Sequence, residues 1–366
     1  MSTMKAVLLD RSHQPPALRL TEEYPRPHLV PGKLLVKVKA FAVNHADVMT
    51  RKGSGAKGPA PTADIIGIEL IGLVVGVSSE LERARDVSEQ RTGPQGARYR
   101  SGDIVAGVMG GLGRFCNGSY SEYALLDPDC VSAPLPVGDA AQISTSTLIS
   151  LAAIPATFLA AYGVLVTSLQ IQPEDTLLVH GASSSIGMAT ASLAKHLYNV
   201  KKVVGTTRDA GKAARLKTAG FDEVLVRPHQ DDSSIEEQAK SIKEAAEEMA
   251  GFTAQVDLIG ADHIPVALAC ARSPGGARVC QAGMLAGAYF CTEPFSPMAI
   301  PVGVYLCGYS SSFADHLNPL RELVTAVLQK KLPTNVDKVF RIEDVPQAHE
   351  YYERSTRCGK VVCLID

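Results

Sequence analysis

Apolar and polar positions along this chain follow two different rhythms. Up to about residue 140 the apolar stretches are short and strand-like. Met1–Asp10 reads as a first strand, and Lys33–Ala40 alternates after the Pro31-Gly32 turn, as a half-buried strand does. Asn44–Gly53 is polar and can form a helical turn. Ile66–Val77 reads as an apolar strand pair punctuated by glycine, and Ser101–Gly107 and Gly118–Ala124 return to strand. Between them, Ser78–Arg100 is charged and rich in turn formers, which predicts an exposed insertion.

From about Leu148 to Tyr309 apolar runs alternate with helical segments, the mark of a parallel α/β sheet. Strands are predicted at Leu177–His180, Lys202–Thr206, Glu223–Val226, Val256–Ile259 and Gly276–Ala282. An amphipathic helix is predicted over Ser234–Gly251. A helix at Pro319–Gln329 and strands at Lys338–Ile342 and Gly359–Ile365 follow. Ser144–Leu169 is apolar enough to suggest a membrane span. It contains Pro155 and several Ser/Thr residues and lacks flanking charge asymmetry, so a buried helix is expected instead.

One stretch carries chemistry. Leu177–His180 runs into Gly181-Ala182-Ser183-Ser184-Ser185-Ile186-Gly187, a turn of small residues that opens a helix. Backbone N–H groups and the helix dipole at such a turn favour a pyrophosphate, provided no bulky side chain blocks its approach. After the next strand, about 20 residues on, a cofactor without a 2′-phosphate usually meets an acidic residue. This chain offers Thr206, Thr207 and Arg208, with Lys212 close behind and Arg227 at the end of the third strand. Cations there pair with a 2′-phosphate, so the expected cofactor is NADPH. Asp209 is expected to face solvent at a helix N-terminus.

Composition narrows the classes. The 366 residues suit two domains, and 46% hydrophobic content supports sizeable cores. Lys and Arg number 36 against 38 Asp and Glu, which leaves no excess positive charge for nucleic acid. The N-terminal apolar run is too brief for a secretory signal, so a cytoplasmic protein with no membrane association is expected. The eight cysteines show no C-x-x-C spacing, and neither zinc nor a disulfide is assigned.

The order of blocks resembles the medium-chain dehydrogenase/reductase superfamily, in particular its zinc-free NADPH quinone oxidoreductase and enoyl-reductase branch. The matching blocks are Asn44-x-x-Asp47, Gly67-x-Glu69-x-x-Gly72, Gly102-Asp103, Gly118-x-Tyr120-x-Glu122-Tyr123 and Ala153-Ile154-Pro155 leading to Ala161-Tyr162. Further along are Gly181-Ala182-Ser183 to Gly187, Gly275-Gly276-x-x-Val279 and Gly359-Lys360-Val361-Val362. The resemblance implies an α/β chain with a GroES-like β-barrel catalytic domain at 1–143, a Rossmann domain at 144–309, and a tail, 310–366, returning to the barrel. The sequence also departs from the family. Asn44 stands where the zinc branch has a metal-binding Cys, and Ile68-Glu69 where it has His-Glu. Met49 replaces a tyrosine usual in quinone reductases.

The activity implied is zinc-independent hydride transfer from NADPH to a quinone or an α,β-unsaturated carbonyl. Asn44 could hydrogen-bond the nicotinamide ribose or a substrate carbonyl, or fix its own turn. Tyr120 and Tyr162 are candidate donors near the nicotinamide, and Glu69 is expected to support loop packing. A dedicated enoyl reductase or tailoring enzyme is the narrower alternative; a catalytically weak nucleotide-binding structural protein is the alternative from another class. A homodimer is expected through an apolar strand at Ile300–Leu306, whose exposed edge would otherwise be a liability.

Overall fold

The structure is a computed structural model and describes residues 2–53, 62–83, 98–138, 142–227, 234–287, 289–310, 317–354 and 356–366. Most of the insertion expected at Ser78–Arg100 lies outside the described residues. The chain divides into two compact units: Met1–Leu159 with Ser311–Lys330 and Val336–Asp366, and Ala160–Ser310 with Lys331–Asn335.

The first unit opens with the antiparallel hairpin β1 (Thr3–Asp10) and β2 (Ala17–Pro25). There follow β3 (Leu34–Val43), α1 (His45–Arg51), β4 (Glu69–Val77), α2 (Ser79–Arg83), β5 (Ile104–Val108), β6 (Tyr123–Leu126) and α3 (Thr145–Ala152). The helix α4 (Pro155–Tyr162) runs across the boundary and continues as a π-helical turn, Gly163–Ser168. The single buried helix expected over Ser144–Leu169 is therefore two helices bent by 47°, broken where Pro155 begins the second. Among the described residues no single helix is long and apolar enough to cross a membrane.

The second unit contains β7 (Thr176–His180), α5 (Ser185–His196), β8 (Lys202–Thr207), α6 (Ala213–Thr218), β9 (Glu223–Val226), α7 (Ile235–Ala245), β10 (Ala254–Asp257), α8 (Ile264–Cys270), β11 (Arg278–Gln281) and β12 (Tyr305–Gly308). After it come α9 (Leu320–Leu328), β13 (Val336–Arg341), α10 (Val345–Glu353) and β14 (Lys360–Leu364).

In the second unit the sheet order is β12-β11-β10-β7-β8-β9, and every pairing is parallel. Numbered from β7, this is the doubly wound order of a dinucleotide-binding Rossmann sheet, which reverses direction between β7 and β10. All five residues of β7 are buried, as a strand covered by helices on both faces requires. The helix α7 begins at a capping box in which the Ser234 hydroxyl accepts from Glu237 N–H and the Glu237 carboxylate accepts from Ser234 N–H. It stops at Ala245, short of the expected Gly251, because Glu247 takes a left-handed backbone with φ 53°.

In the first unit the sheet runs β13-β14-β3-β4-β5, with β6 also paired to β3. β14 pairs antiparallel with β3, and β13 pairs parallel with β14. The core is built on Phe41, Tyr120, Ile65, Leu70 and their neighbours. Ile66–Val77 contains one strand, β4 from Glu69 on, rather than the expected pair, because Gly72 lies within that strand. A Cβ there would sit 2.4 Å from Val36 Cγ1 and 2.7 Å from Lys37 O, so this glycine permits close strand approach and makes no turn. The division between units falls after Leu159, later than residue 143, because α3 packs on β3, β4, β13 and β14.

Candidate functional site

Two of the turn's residues are held to glycine by space. Gly181 has φ 81°, and a Cβ on it would lie 2.9 Å from Leu285 Cδ1. At Gly187 a Cβ would come within 2.7 Å of both Gly181 O and Ala182 O, so the first turn of α5 passes directly over the end of β7. Ser184, where the family commonly has glycine, is extended (φ −72°, ψ 160°) and needs no such freedom. Its hydroxyl caps α5 by accepting Gly187 N–H at 3.0 Å. Ala182 is buried and donates its N–H to Thr206 O at 3.0 Å, which ties the turn to β8. Ser183 and Ser185 are half-buried, as is Ile186.

The end of β8 brings the expected phosphate residues together along the backbone. Thr206 and Thr207 are buried, Arg208 is exposed and Lys212 is half-buried. Thr207 O accepts Arg227 N–H at 2.7 Å, so β9 delivers Arg227 beside this corner. Burial lowers the Arg227 guanidinium pKa. Asp209 is exposed, and its carboxylate caps the following turn by accepting Gly211 N–H at 2.9 Å.

The sequence reading missed a group at the adjoining strand end. Asp257, the last residue of β10, accepts Ile259 N–H at 2.8 Å and Gly260 N–H at 3.2 Å through one oxygen, and His263 Nδ1–H through the other. Burial works to raise this carboxyl, but the His263 hydrogen bond and the neighbouring imidazoles outweigh it, leaving its pKa below the ordinary value. The His263 ring stands 4.6 Å, edge to face, from His180, which burial lowers to about 3. The loop held by Asp257 also places Leu258 and Ile259 against Gly181. The Asp257 carboxylate thus shapes one wall of the glycine turn.

The first unit holds a second polar centre. Lys360, on β14 and 1% exposed, donates to Glu69 Oε1 at 2.7 Å, Asn44 Oδ1 at 2.6 Å and Thr157 Oγ1 at 2.6 Å. These three acceptors match the three protons of an ammonium. Glu69 Oε1 also accepts from Asn44 Nδ2 at 2.7 Å, and Glu69 Oε2 accepts Ala156 N–H at 2.7 Å. Asn44 Nδ2 makes a further bond to Ala42 O at 3.2 Å. Both ends of the Asn44 amide are therefore engaged within the protein, and Glu69 joins strand β4 to α4. Asp47 accepts the N–H groups of Asn44 and Ile68, and burial, with repulsion from Glu69, raises its pKa to about 7.

Tyr120 is fully buried. It stacks on Phe41 with ring centroids 4.7 Å apart, and its hydroxyl bonds His349 Nε2 at 2.9 Å. Its phenol is engaged in the core of the first unit instead of facing an open surface. Tyr162 is half-buried at the end of α4. Periodicity could not reveal Lys360, Thr157, His349 or the Asp257–His263 pair. The one available signal was Lys360 itself, a charged residue heading an otherwise apolar terminal strand.

Two family models match parts of this chain. Residues 30–136 match the model of the alcohol dehydrogenase GroES-like domain, and 219–363 match that described as zinc-binding dehydrogenase. Quinone oxidoreductase of Mus musculus is 24% identical over 99% of this chain and 98% of its own length. A 2-methylene-furan-3-one reductase of Solanum lycopersicum is 26% identical over 56% of this chain and 47% of its own. The chain spans about half or less of the length of several curated relatives it matches. Among solved structures, mycobacterial Rv1454c complexed with NADPH shares the fold. Its TM-score is 0.78 at 23% identity, covering 99% of this chain and 100% of that one.

Proposed function

The chain belongs to the medium-chain dehydrogenase/reductase superfamily of NAD(P)-dependent oxidoreductases, and from that premise we propose that it is a zinc-independent reductase using NADPH. Its proposed substrate is a quinone or an α,β-unsaturated carbonyl compound. The observation that carries the reading is the crossing at Gly187, where any side chain would collide with two carbonyls and fill the cradle under the helix N-terminus. The residues present fit a dinucleotide. The turn Gly181–Gly187 would hold the pyrophosphate, and Thr206, Thr207, Arg208, Lys212 and Arg227 would receive a 2′-phosphate.

Bound NADPH supplies a hydride. The chain's own part is to bind, orient and exclude water. Gly181 and Gly187 keep the turn bare for close approach. The Asp257–His263 pair fixes the loop that packs on Gly181, and the cations at the end of β8 set the choice between NADPH and NADH. The proton, taken up by the hydroquinone oxygen of a reduced quinone or by the enolate of a reduced enone, comes from solvent in this reading, since Tyr120 is engaged with His349.

Zinc does not fit the position where the superfamily's metal-binding branch holds it. Asn44 and Ile68 stand at ligand positions, Glu69 is paired with the Lys360 ammonium, and that positive charge opposes a divalent cation. Among the described residues no group of three His, Cys, Asp or Glu side chains is arranged to hold a metal. We also propose a homodimer formed through the sheet edge at β12. Pro301 and the left-handed Gly303 (φ 75°) delay that strand until Tyr305, later than expected, and leave Val302 and Tyr305 exposed.

The test is NADPH oxidation by chelator-washed protein against a panel of benzoquinones, naphthoquinones and conjugated enones. Turnover without added metal supports the reading. NADPH binding without turnover on any member would favour a binding protein, and turnover restricted to one thioester enone would favour a dedicated enoyl reductase.

A further inference from the structure

The strands β11 and β12 run parallel, and their register sets Cys280 directly beside Cys307. Register partners on neighbouring strands present their side chains to the same face of the sheet. Strands lie about 4.8 Å apart, inside the roughly 4.4–6.8 Å between Cα atoms that a disulfide spans. Cys280 is fully buried, whereas Cys307 is half-buried on the edge strand. The Cys307 sulfur is held inward, 3.6 Å from Ser168 O and 3.5 Å from Val279 O. The Cys307 thiol donates both of these contacts, and the neighbouring thiol of Cys280 interacts with it electrostatically.

Exposure divides the pair into two roles, since Cys307 on β12 is partly open to solvent and Cys280 is closed off. Interaction between the two thiols raises the pKa of Cys280, as burial does, and lowers that of Cys307 against its burial, with the nearby Arg278 charge adding to the lowering. At Cys116, Cys130, Cys270 and Cys363 burial shifts the thiol the other way, towards the inert protonated form. One sulfur can therefore attack, and its register partner is placed to resolve.

We propose that Cys280 and Cys307 form a redox site that a hydroperoxide closes to an intramolecular disulfide. Cys307 attacks the peroxide, the O–O bond breaks, and Cys307 becomes a sulfenic acid as one alcohol, or water, leaves. The Cys280 sulfur then attacks the sulfenic sulfur, the S–O bond breaks and a water leaves with the thiol proton. Two thiols and one hydroperoxide give one disulfide, one alcohol and one water. The bridge closes the loop 281–306 and fastens the edge strand β12 to β11. Leu285, which packs on Gly181, lies within that loop.

The experiment treats the full chain with one equivalent of hydrogen peroxide, blocks remaining thiols with iodoacetamide and maps peptides without reduction. The expected result is a Cys280–Cys307 linked peptide on a monomeric band, a drop of two from the eight free thiols, and reversal by dithiothreitol. Cys280→Ser should remove the link and leave Cys307 as a sulfenic acid trapped by dimedone. A disulfide joining other cysteines, a link between two chains, or oxidation that spares Cys307 would overturn the proposal. The wild-type peptide map decides this even if the variant does not fold.

Discussion

Lys360 and Glu69, 291 positions apart in sequence, form an ion pair at 2.7 Å with almost no exposed surface on either side chain. The pair links the terminal strand β14 to β4, and every proton of the ammonium is accepted. Removing one partner leaves the other charge buried and uncompensated, which costs about 3–5 kcal/mol. Lys360→Met should therefore lower unfolding stability by about that much in urea, and the double variant Lys360→Met/Glu69→Gln should recover part of the loss. A single-variant effect below about 1 kcal/mol would show that the pair does not hold the unit together.

Acid should weaken the fold through buried histidines. His349 and His180 are both depressed from 6.5 to about 3 by burial, so each contributes stability above 6.5 that is lost as pH falls towards 3. Asp47 acts in the opposite sense. Its pKa rises from 3.8 to about 7, so between those values the folded state holds a proton that the unfolded state lacks, and stability grows on acidification. Two histidines against one carboxyl leave one net proton, or about 1.4 kcal/mol lost per pH unit between pH 6 and 4 from these groups. His349→Gln, which can still bond Tyr120, should flatten the slope by that amount in urea titrations across the range. An unchanged slope would show that His349 does not titrate as its burial requires.

The turn's departure from the three-glycine pattern has a simple consequence. Ser184 has an extended backbone and caps α5, so its hydroxyl matters more than its Cβ. Ser184→Ala should cost about 1 kcal/mol and Ser184→Gly only a few tenths. Thermal melts of both variants check the order, and a reversed order would mean that the chain entropy glycine adds outweighs the lost cap at this position.

What was legible in the sequence was what neighbouring residues decide. The mostly apolar β7 and the small-residue turn after it required no distant partner to be recognised, and the amphipathic pattern of Ser234–Gly251 announced α7. The ends of elements were less visible, because tertiary geometry sets them. Ile66–Val77 read as two strands only because a glycine that admits Val36 and Lys37 looks in sequence like one that turns the chain. Least visible were the pairings between distant segments. Nothing near Asn44 announces that its amide is held between Glu69 and Lys360, and nothing near Tyr120 announces His349.

The proposed dimer rests on the exposed end of β12. Tyr305, which opens β12, is 65% exposed and Val302, just before it, 79%; among the described residues β12 pairs through β11 alone. Light scattering at micromolar concentration should give twice the 38.8 kDa chain mass, and Tyr305→Asp with Val302→Lys should shift the protein to monomer. A wild-type monomer would remove the proposal.

The central claim is that the turn at Gly181–Gly187 and the cations after β8 bind NADPH in preference to NADH. The most direct measurement is a pair of fluorescence titrations, NADPH and NADH, on wild type, Arg208→Ala and Lys212→Ala. A charge-assisted contact to the 2′-phosphate contributes about 1.5–3 kcal/mol, so each substitution that removes one should weaken NADPH binding roughly ten- to a hundredfold while NADH binding hardly changes. Wild type that binds NADH more tightly, or an NADPH/NADH ratio that neither substitution moves, would contradict the account.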